Sequence, residues 1–209
     1  NFSRQTAEDG EVTLKINKKE AGKLSYTKGQ RDGLQLTRLE ANLEKEGVQL
    51  VQIDYSAKVK NPLPYTFAVN YATYLPPSDE QCKVRLKTEL TTQKVQMGET
   101  ARLKISLTNK TQEGLPMTIA IVGIPAGLSV QPWQLKQLQE KQVFDFYEII
   151  GNRIAFYYRQ MKPAENREIN LDLKADIPGT YEGMASCAYL YYTNEFKHWV
   201  EGLSIEIEK

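Results

Sequence analysis

The chain has 209 residues, 41% of them hydrophobic and 25% charged, so it can bury a core and is not a disordered polypeptide. Its 27 Lys and Arg residues balance 26 Asp and Glu residues, and the formal net charge of +1 lacks the basic excess of a nucleic-acid-binding protein. A membrane-spanning helix needs about 20 consecutive apolar residues, and no apolar run in this chain is nearly as long. We therefore expect no nucleic-acid partner and no membrane contact by this fragment. No signal-peptide pattern opens the chain, so Asn1 is expected to begin a mature chain or an excised fragment.

Alternation of apolar and polar residues predicts β-strands through the first part of the chain. The strands are predicted at residues 12–16, 34–36, 48–55 and 65–71. The third of them slips phase at Leu50-Val51, as a β-bulge would allow. The fourth, with aromatic or β-branched residues at every second position, is the clearest strand of this part.

The same period continues after the Pro76-Pro77 pair. Alternating strands are predicted at residues 84–86, 103–107, 154–158, 169–173 and 203–207, each with one polar face, as in antiparallel sheets. Residues 117–124 are apolar almost without interruption, which predicts a central strand buried on both sides. Since Pro-Pro cannot lie in a central strand, we divide the chain into domains at 1–79 and 80–209. The prediction is an all-β protein of two β-sandwich-like domains.

One segment has a helical pattern instead. Pro132 stands where a first helical turn tolerates proline, and Leu135 and Leu138 follow three residues apart. This predicts a short surface helix at about residues 132–140. Its Trp133, Lys136 and Lys141 are candidates for a partner-facing surface. The alternative is that the helix only covers a sheet and its lysines are solvated.

The residue types that carry chemistry are scarce. Cys82, Cys187 and His198 are the only cysteines and the only histidine, too few for a structural zinc site. The two cysteines are either small buried residues or the partners of a single long-range disulfide. His198 has no Gly-x-Ser-x-Gly nucleophile motif to serve, and no phosphate- or dinucleotide-binding loop is present. We expect no enzyme activity, no bound metal and no cofactor.

Tyrosines are concentrated near the end of the chain. They follow Phe156 and Cys187 on predicted strands, at positions 157, 158, 189, 191 and 192. Paired strands would assemble them into a cross-strand aromatic group that either packs the sheet or binds a protein or carbohydrate.

Several motifs of the second domain resemble the C-terminal domain of alpha-2-macroglobulin-like proteins. They are residues 117–128, the helix after Pro132, residues 146–158, 175–181 and 185–195, then Trp199 and Gly202. The resemblance covers about residues 80–207 and looks more like the bacterial branch. It implies a "receptor-binding" β-sandwich with one helix. The segment Pro62-Leu-Pro-Tyr65 resembles the CUB-like half that precedes this domain, which implies a CUB-like β domain, or part of one, at 1–79.

The thioester motif of that family, Cys-Gly-Glu-Gln, is not in this chain; Glu80-Gln81-Cys82 has another order and no glycine. The resemblance therefore implies a C-terminal fragment whose reactive group and bait segment lie elsewhere. Vertebrate members bear two receptor-binding lysines on the helix. Lys136 matches one, and the position of the other, near Gln131-Pro132, has no lysine.

The resemblance implies a non-catalytic module of an extracellular, cell-surface or periplasmic endopeptidase inhibitor. This module packs against a thioester-type domain and takes part in its conformational change. Its partners would be other domains of the parent chain and the proteases that the parent captures. The alternative function is an extracellular β-sandwich module that binds carbohydrate or protein through the tyrosine-rich strands.

Overall fold

The structure is a computed structural model, and it describes residues 9–39, 43, 47–56, 65–69 and 72–209. The chain divides into two compact units, residues 1–69 and 70–209. The domains expected from the sequence, 1–79 and 80–209, and the CUB-like character of the first, stay predictions.

The first unit contains one antiparallel sheet in the order β2-β1-β3, formed by β1 (Gly10–Ile16), β2 (Lys19–Tyr26) and β3 (Val51–Tyr55). Asn17 and Lys18 turn β1 into β2 with φ angles of 51° and 67°, the left-handed pair that a two-residue hairpin turn requires. The alternation at 12–16 correctly predicted that Leu14 and Ile16 are buried in β1.

Two predicted strands of this unit are wrong. Residues 34–36 and 65–69 form no strand, although both alternate; residues 70 and 71 lie outside the described residues. Leu34, Phe67 and Val69 are 39%, 40% and 49% exposed. Alternation of apolar and polar residues indicates the two faces of a strand, but a strand also needs a neighbouring strand to accept and donate its backbone hydrogen bonds. The third strand begins at Val51 and not at residue 48, and the Asn17 side chain accepts the N–H of Leu50 instead.

The second unit is built from twelve strands and one helix among its described residues. The elements are β4 (Val84–Leu90), β5 (Lys94–Gln96), β6 (Thr100–Asn109), β7 (Thr118–Gly123), β8 (Leu128–Ser129), α1 (Pro132–Glu140), β9 (Phe146–Ile150), β10 (Arg153–Tyr158), β11 (Asn166–Ala175), β12 (Gly179–Glu182), β13 (Ser186–Leu190), β14 (His198–Val200) and β15 (Ser204–Glu208). The all-β class with a single short helix is confirmed, as are the predicted strands of this unit.

Three sheets share one hydrophobic core. A five-stranded sheet has the order β14-β13-β7-β10-β9, a four-stranded sheet the order β4-β6-β11-β8, and a three-stranded sheet the order β12-β15-β5. Residues from all three sheets contribute to the same buried cluster, among them Phe156, Leu103 and Ile205. β7 lies in the middle of the five-stranded sheet, as its continuous apolar run predicted.

The helix α1 is fixed to the four-stranded sheet by two neighbouring residues. Leu135 is completely buried in the core. The Gln134 side chain donates to the carbonyl of Asp172 at 2.8 Å and accepts its N–H at 2.9 Å. Asp172 lies on β11 just before the two residues that pair with the short β8. The Gln134 amide therefore replaces a neighbouring strand where β8 has ended.

Candidate functional site

The outer surface of the five-stranded sheet carries the aromatic residues that the sequence analysis singled out. Because successive side chains of a strand point to opposite faces, the core positions of Phe156 and Ala188 direct Tyr157 and Tyr189 to the other side. The strand register aligns Phe146, Tyr157, Ile119 and Tyr189 in one row across β9, β10, β7 and β13. The next row on the same side consists of Glu148, Ala155, Ile121, Cys187 and Trp199.

We call this surface the aromatic face, defined by Phe146, Glu148, Ile150, Tyr157, Tyr189, Tyr191, Tyr192 and Lys197. The last three tyrosines follow one another closely because β13 runs directly into a 3-10 turn at Tyr191–Thr193. Tyr191 and Tyr192 pack edge to face with ring centroids 5.2 Å apart. Tyr158, also a candidate from the sequence, is only 1% exposed and belongs to the core instead.

Contacts within the aromatic face orient its rings. The Phe146 and Tyr157 ring centroids lie 5.8 Å apart. The Tyr157 hydroxyl donates to Oε2 of Glu148 at 2.8 Å, and Nζ of Lys197 lies 5.1 Å from the Tyr189 ring centroid, within reach of a cation–π interaction. A carboxylate and an ammonium group thus stand among the rings.

The phenols of Tyr157 and Tyr189 stay protonated over the whole physiological range. Burial raises the pKa of Tyr157 to about 12, and the hydrogen bond to Glu148 acts in the same direction. Burial also raises the pKa of Tyr189, with Cys187 and Tyr191 adding to the shift. Their hydroxyl groups are therefore permanent hydrogen-bond donors.

The aromatic face has a buried centre and an exposed periphery. Ile119 and Cys187 are each only 4% exposed, whereas Phe146, Tyr191 and Tyr192 are 51%, 52% and 75% exposed. Large aromatic side chains that lie exposed together on one face are typical of surfaces that bind another macromolecule.

The helix residues lie elsewhere in the unit. Trp133 is 58% exposed, Lys136 is exposed on α1, and Lys141 is the first residue after the helix. Trp133 and Lys136 lie on α1 and Lys141 directly follows it, and α1 packs on β11 of the four-stranded sheet and not on the sheet that carries the aromatic face. Their partner-facing role stays a prediction.

Both cysteines are buried free thiols, so the possible disulfide between Cys82 and Cys187 is absent from this structure. The Cys82 thiol lies 3.6 Å from the carbonyl oxygen of Ala188 on the core side of β13. Cys187, the neighbour of Ala188, points to the opposite face, so the strand itself separates the two sulfurs. Burial raises the pKa of the Cys187 thiol to about 11, which keeps it protonated and weakly nucleophilic.

The only histidine of the sequence connects two strands. Nδ1 of His198 accepts the backbone N–H of Leu86 at 3.3 Å, so β14 is joined to β4. Burial, followed by the nearby charges of Lys110 and Arg85, lowers the pKa of His198. In the described part of the chain, no group of three or more His, Cys, Asp or Glu side chains is placed to hold a metal ion.

A shallow recess of about 300 Å³ lies at one end of the same sheet, lined by the Gly151–Asn152 turn and by Ile124, Arg153 and Met184 among others. No helix in the described residues is long and apolar enough to cross a membrane.

Sequence reasoning identified part of the aromatic face. Tyr157, Tyr189, Tyr191 and Tyr192 were candidates because they cluster along the chain. Phe146, Glu148, Ile150 and Lys197 were missed, because only the register of β9 against β10 and the turn after β13 bring them to the same surface. Phe146, Glu148 and Ile150 could have been found from the sequence of residues 146–150, Phe-Tyr-Glu-Ile-Ile, which is typical of a short strand with apolar residues on both faces.

Comparison with known proteins gives one kind of match. No protein-family model matches the sequence, and no curated protein sequence matches it. Solved structures do match. Salmonella alpha-2-macroglobulin reacted with methylamine has a TM-score of 0.60 at 14% identity, and a point mutant of the Salmonella protein has a TM-score of 0.59 at 14% identity. Both matches cover 98% of this chain and 14% of the macroglobulin.

A third match is to a C-terminal fragment of a macroglobulin, which indicates the part of that protein that this fold resembles. The crystal structure of native Escherichia coli alpha-2-macroglobulin from domain MG7 to the C-terminus matches 95% of this chain and 33% of its own length, with a TM-score of 0.56 at 10% identity. At such identities the likeness concerns the fold. The resemblance expected from the motifs is thus supported at the level of architecture: this chain has the fold of a C-terminal region of bacterial alpha-2-macroglobulins and spans about 14% of the length of the Salmonella chains that it matches.

Proposed function

We propose that this chain is the non-catalytic C-terminal β module of an alpha-2-macroglobulin-like protease trap. It packs through the aromatic face against another domain of the parent chain, of the thioester type, and takes part in the conformational change that follows proteolysis. The observation that carries this proposal is the aromatic face itself, with its dry centre, exposed rings and two opposite charges.

The length of the matched macroglobulins supports another domain of the parent chain as the partner of the aromatic face. The matched macroglobulins are about seven times longer than the region that this fold covers, since the match spans 14% of their chain. Most of such a parent would lie outside this chain, and its neighbouring domains would supply the surface that covers the aromatic face. Intramolecular interfaces of this kind are moderate in area and partly polar, so they separate and re-form during a switch.

The absence of catalysis is part of the proposal. It is supported by the hydrogen bond that commits Nδ1 of His198 to the backbone of Leu86 and by the raised pKa of Cys187. The carboxylates of Glu206 and Glu208 form ion pairs with Lys94, at 3.9 Å and 2.6 Å. His198, Glu206 and Glu208 therefore each have a structural partner, and Cys187 is kept protonated by burial.

The remaining parts of the proposal come from the macroglobulin fold. The parent would be an endopeptidase inhibitor outside the cytoplasm, in the periplasm or at the cell surface, and proteases would be its captured partners. The solved neighbours include Escherichia coli alpha-2-macroglobulin activated by trypsin. Residues 1–79 would form the CUB-like part that precedes the receptor-binding-like sandwich.

The test compares two matched surface aromatics in the intact parent protein. Phe146→Ser removes a ring from the aromatic face, and Trp133→Ser removes a ring of similar exposure from α1. We expect Phe146→Ser to change the protease-triggered shift in sedimentation coefficient, because the docked state loses contacts, while Trp133→Ser leaves it unchanged. In the isolated chain both variants should melt close to the wild type, since exposed substitutions usually cost within about 0.5 kcal/mol.

The opposite pattern assigns docking to the helix. A changed shift in Trp133→Ser, or in the charge reversal of Lys136 and Lys141 to Glu, with no effect of Phe146→Ser, would contradict docking through the aromatic face. An upstream reading frame without a helical domain that carries Cys-x-Glu-Gln would contradict the thioester partner. Binding of carbohydrate by the isolated chain that is lost in Tyr192→Ala would favour the alternative function.

A further inference from the structure

The strand β9 lies at one edge of the five-stranded sheet. The backbone groups on its outer side, away from β10, have no partner among the described residues. Residues 150 and 153 are paired across the two-residue Gly151–Asn152 turn, so their backbones bond each other. Alternation along the ladder then directs the N–H and C=O groups of Glu148 to β10 and those of Tyr147 and Ile149 away from it. These four outward groups make no hydrogen bond within the described residues.

Other edges of the second unit are closed by its own side chains and loops. His198 accepts the outward N–H of Leu86 on β4, and the Gln134 amide covers Asp172 on β11. On β14, the Ser78 hydroxyl bonds both the N–H and the carbonyl of Trp199. The β9 edge has no comparable cover among the described residues.

The side chains of β9 give this free edge only limited protection, since Glu148 is its one charged residue. Natural sheets protect edges with charged residues, lysine above all, with prolines or with very short strands. β9 has five residues, Phe-Tyr-Glu-Ile-Ile, with neither lysine nor proline. Phe146, Ile149 and Ile150 are 51%, 50% and 46% exposed. An added strand would cover these three side chains as well as pair the four backbone groups.

The one charge on β9 indicates what the added strand carries. Oε2 of Glu148 accepts the Tyr157 hydroxyl, and Oε1 has no partner in the described residues. Since the backbone of Glu148 is bonded to β10, it occupies a non-hydrogen-bonded position toward an added strand, where opposing side chains lie closest. A basic residue fits opposite it, with apolar residues two positions away on either side, against Phe146 and Ile150.

The same charge disfavours a second copy of this chain. A register centred on Tyr147 or on Ile149 pairs only that residue within a twofold-related β9. Both residues pair with a twofold-related β9 only in a register centred on Glu148. That register places two Glu148 carboxylates directly opposite each other, and like charges at such a position are destabilising.

We propose that β9 binds an extended segment of a partner protein by strand addition, and that this segment has a basic residue opposite Glu148 flanked by apolar residues at every second position. The backbone hydrogen bonds supply sequence-independent attachment, and the Glu148 position supplies selection. The added strand would lie beside β9, whereas the neighbouring domain of the proposed function would lie on the aromatic face. Both would contact Phe146, Glu148 and Ile150, so strand addition is tested on this chain without the rest of the parent.

The test uses the full 209-residue chain, a synthetic peptide acetyl-Ser-Val-Thr-Lys-Thr-Val-Ser-amide and a control peptide with Glu in place of Lys. Amide hydrogen exchange is followed by NMR. We expect the Lys peptide to slow exchange at Tyr147 and Ile149, and the Glu peptide to bind about fivefold more weakly, because opposite and like charges differ at a directly opposed position. Glu148→Lys should reverse the order of the two peptides.

A matched pair of edge variants separates strand addition from other binding. Ile149→Pro removes an outward N–H and should abolish peptide binding, whereas Ile149→Thr keeps the N–H and should retain it. No slowing of exchange at millimolar peptide, equal affinity for both peptides, or unchanged binding in Ile149→Pro would each overturn the proposal. Dimerisation of the wild type through β9 would overturn the choice of occupant. If Ile149→Pro does not fold, the proposal stands or falls on whether Glu148→Lys reverses the order of affinity of the two peptides.

Discussion

At the scale of single residues, His198 makes the stability of the fold depend on pH. Its Nδ1 can accept the N–H of Leu86 only in the neutral imidazole, and its pKa is lowered in the folded chain. Between its unfolded pKa of about 6.5 and its lower folded pKa, the unfolded chain binds more protons than the folded one. His198 therefore contributes stability above about pH 6.5 that is lost as the pH falls through the folded pKa.

We predict a decrease in the free energy of unfolding between pH 7 and pH 5, measured by urea denaturation. His198→Gln should reduce this decrease, because the Gln carbonyl oxygen accepts the Leu86 N–H without titrating. His198 is the only histidine in the chain, so no other imidazole contributes in this range. An identical pH dependence in wild type and variant would refute the assignment.

A buried amide makes a second prediction at this scale. Asn109 is 1% exposed, and its Nδ2 donates to the carbonyl oxygens of Glu113 and Lys162 while its Oδ1 accepts the N–H and hydroxyl of Thr111. Asn109→Asp places carboxylate oxygens against two carbonyls and should destabilise by about 3 kcal/mol or more. Asn170→Asp, at an exposed position of β11, is the control and should stay within about 0.5 kcal/mol. Thermal melting of both variants compares them; similar melting temperatures would contradict the prediction.

At the scale of elements, the structure explains why so short a helix is stable. α1 has nine residues and no side-chain cap at its N-terminus, and isolated helices of this length are marginal. Its stability must come from Leu135 in the core and from the Gln134 amide on β11.

Gln134→Ala should therefore cost about 1–3 kcal/mol, because it leaves the N–H and carbonyl of Asp172 without their partner. Gln137→Ala, at an exposed position of the same helix, removes a similar side chain and should cost within about 0.5 kcal/mol. Urea denaturation of the two variants compares them. Equal costs would show that the hydrogen bonds to Asp172 do not hold the helix.

At the scale of the whole molecule, the sequence could predict which face of a strand is buried but not which strand lies beside it. β6 and β11 alternate over ten residues each, and their core faces were predicted correctly. β5, β8 and β14 have three, two and three residues, too short for a period to be recognised.

In the candidate site, too, the sequence indicated individual residues but not which strands lie side by side. Tyr157 and Tyr189 could be proposed from local clustering, yet their common surface with Phe146 depends on the strand order β13-β7-β10-β9. That order is set by contacts between distant parts of the chain, which local periodicity does not encode. The wrong strands at 34–36 and 65–69 failed for the related reason that alternation does not guarantee a neighbour.

The three-stranded sheet has a consequence for the order of folding. Its strands β5, β12 and β15 are never adjacent in sequence, and the Gln96–Glu208 hydrogen bond within it spans 112 residues. Closing so long a loop is entropically costly unless the two larger sheets have already brought its ends together. On the ribosome, β5 cannot pair before β15 has been synthesised, so we expect this sheet to be the last part of the unit to assemble.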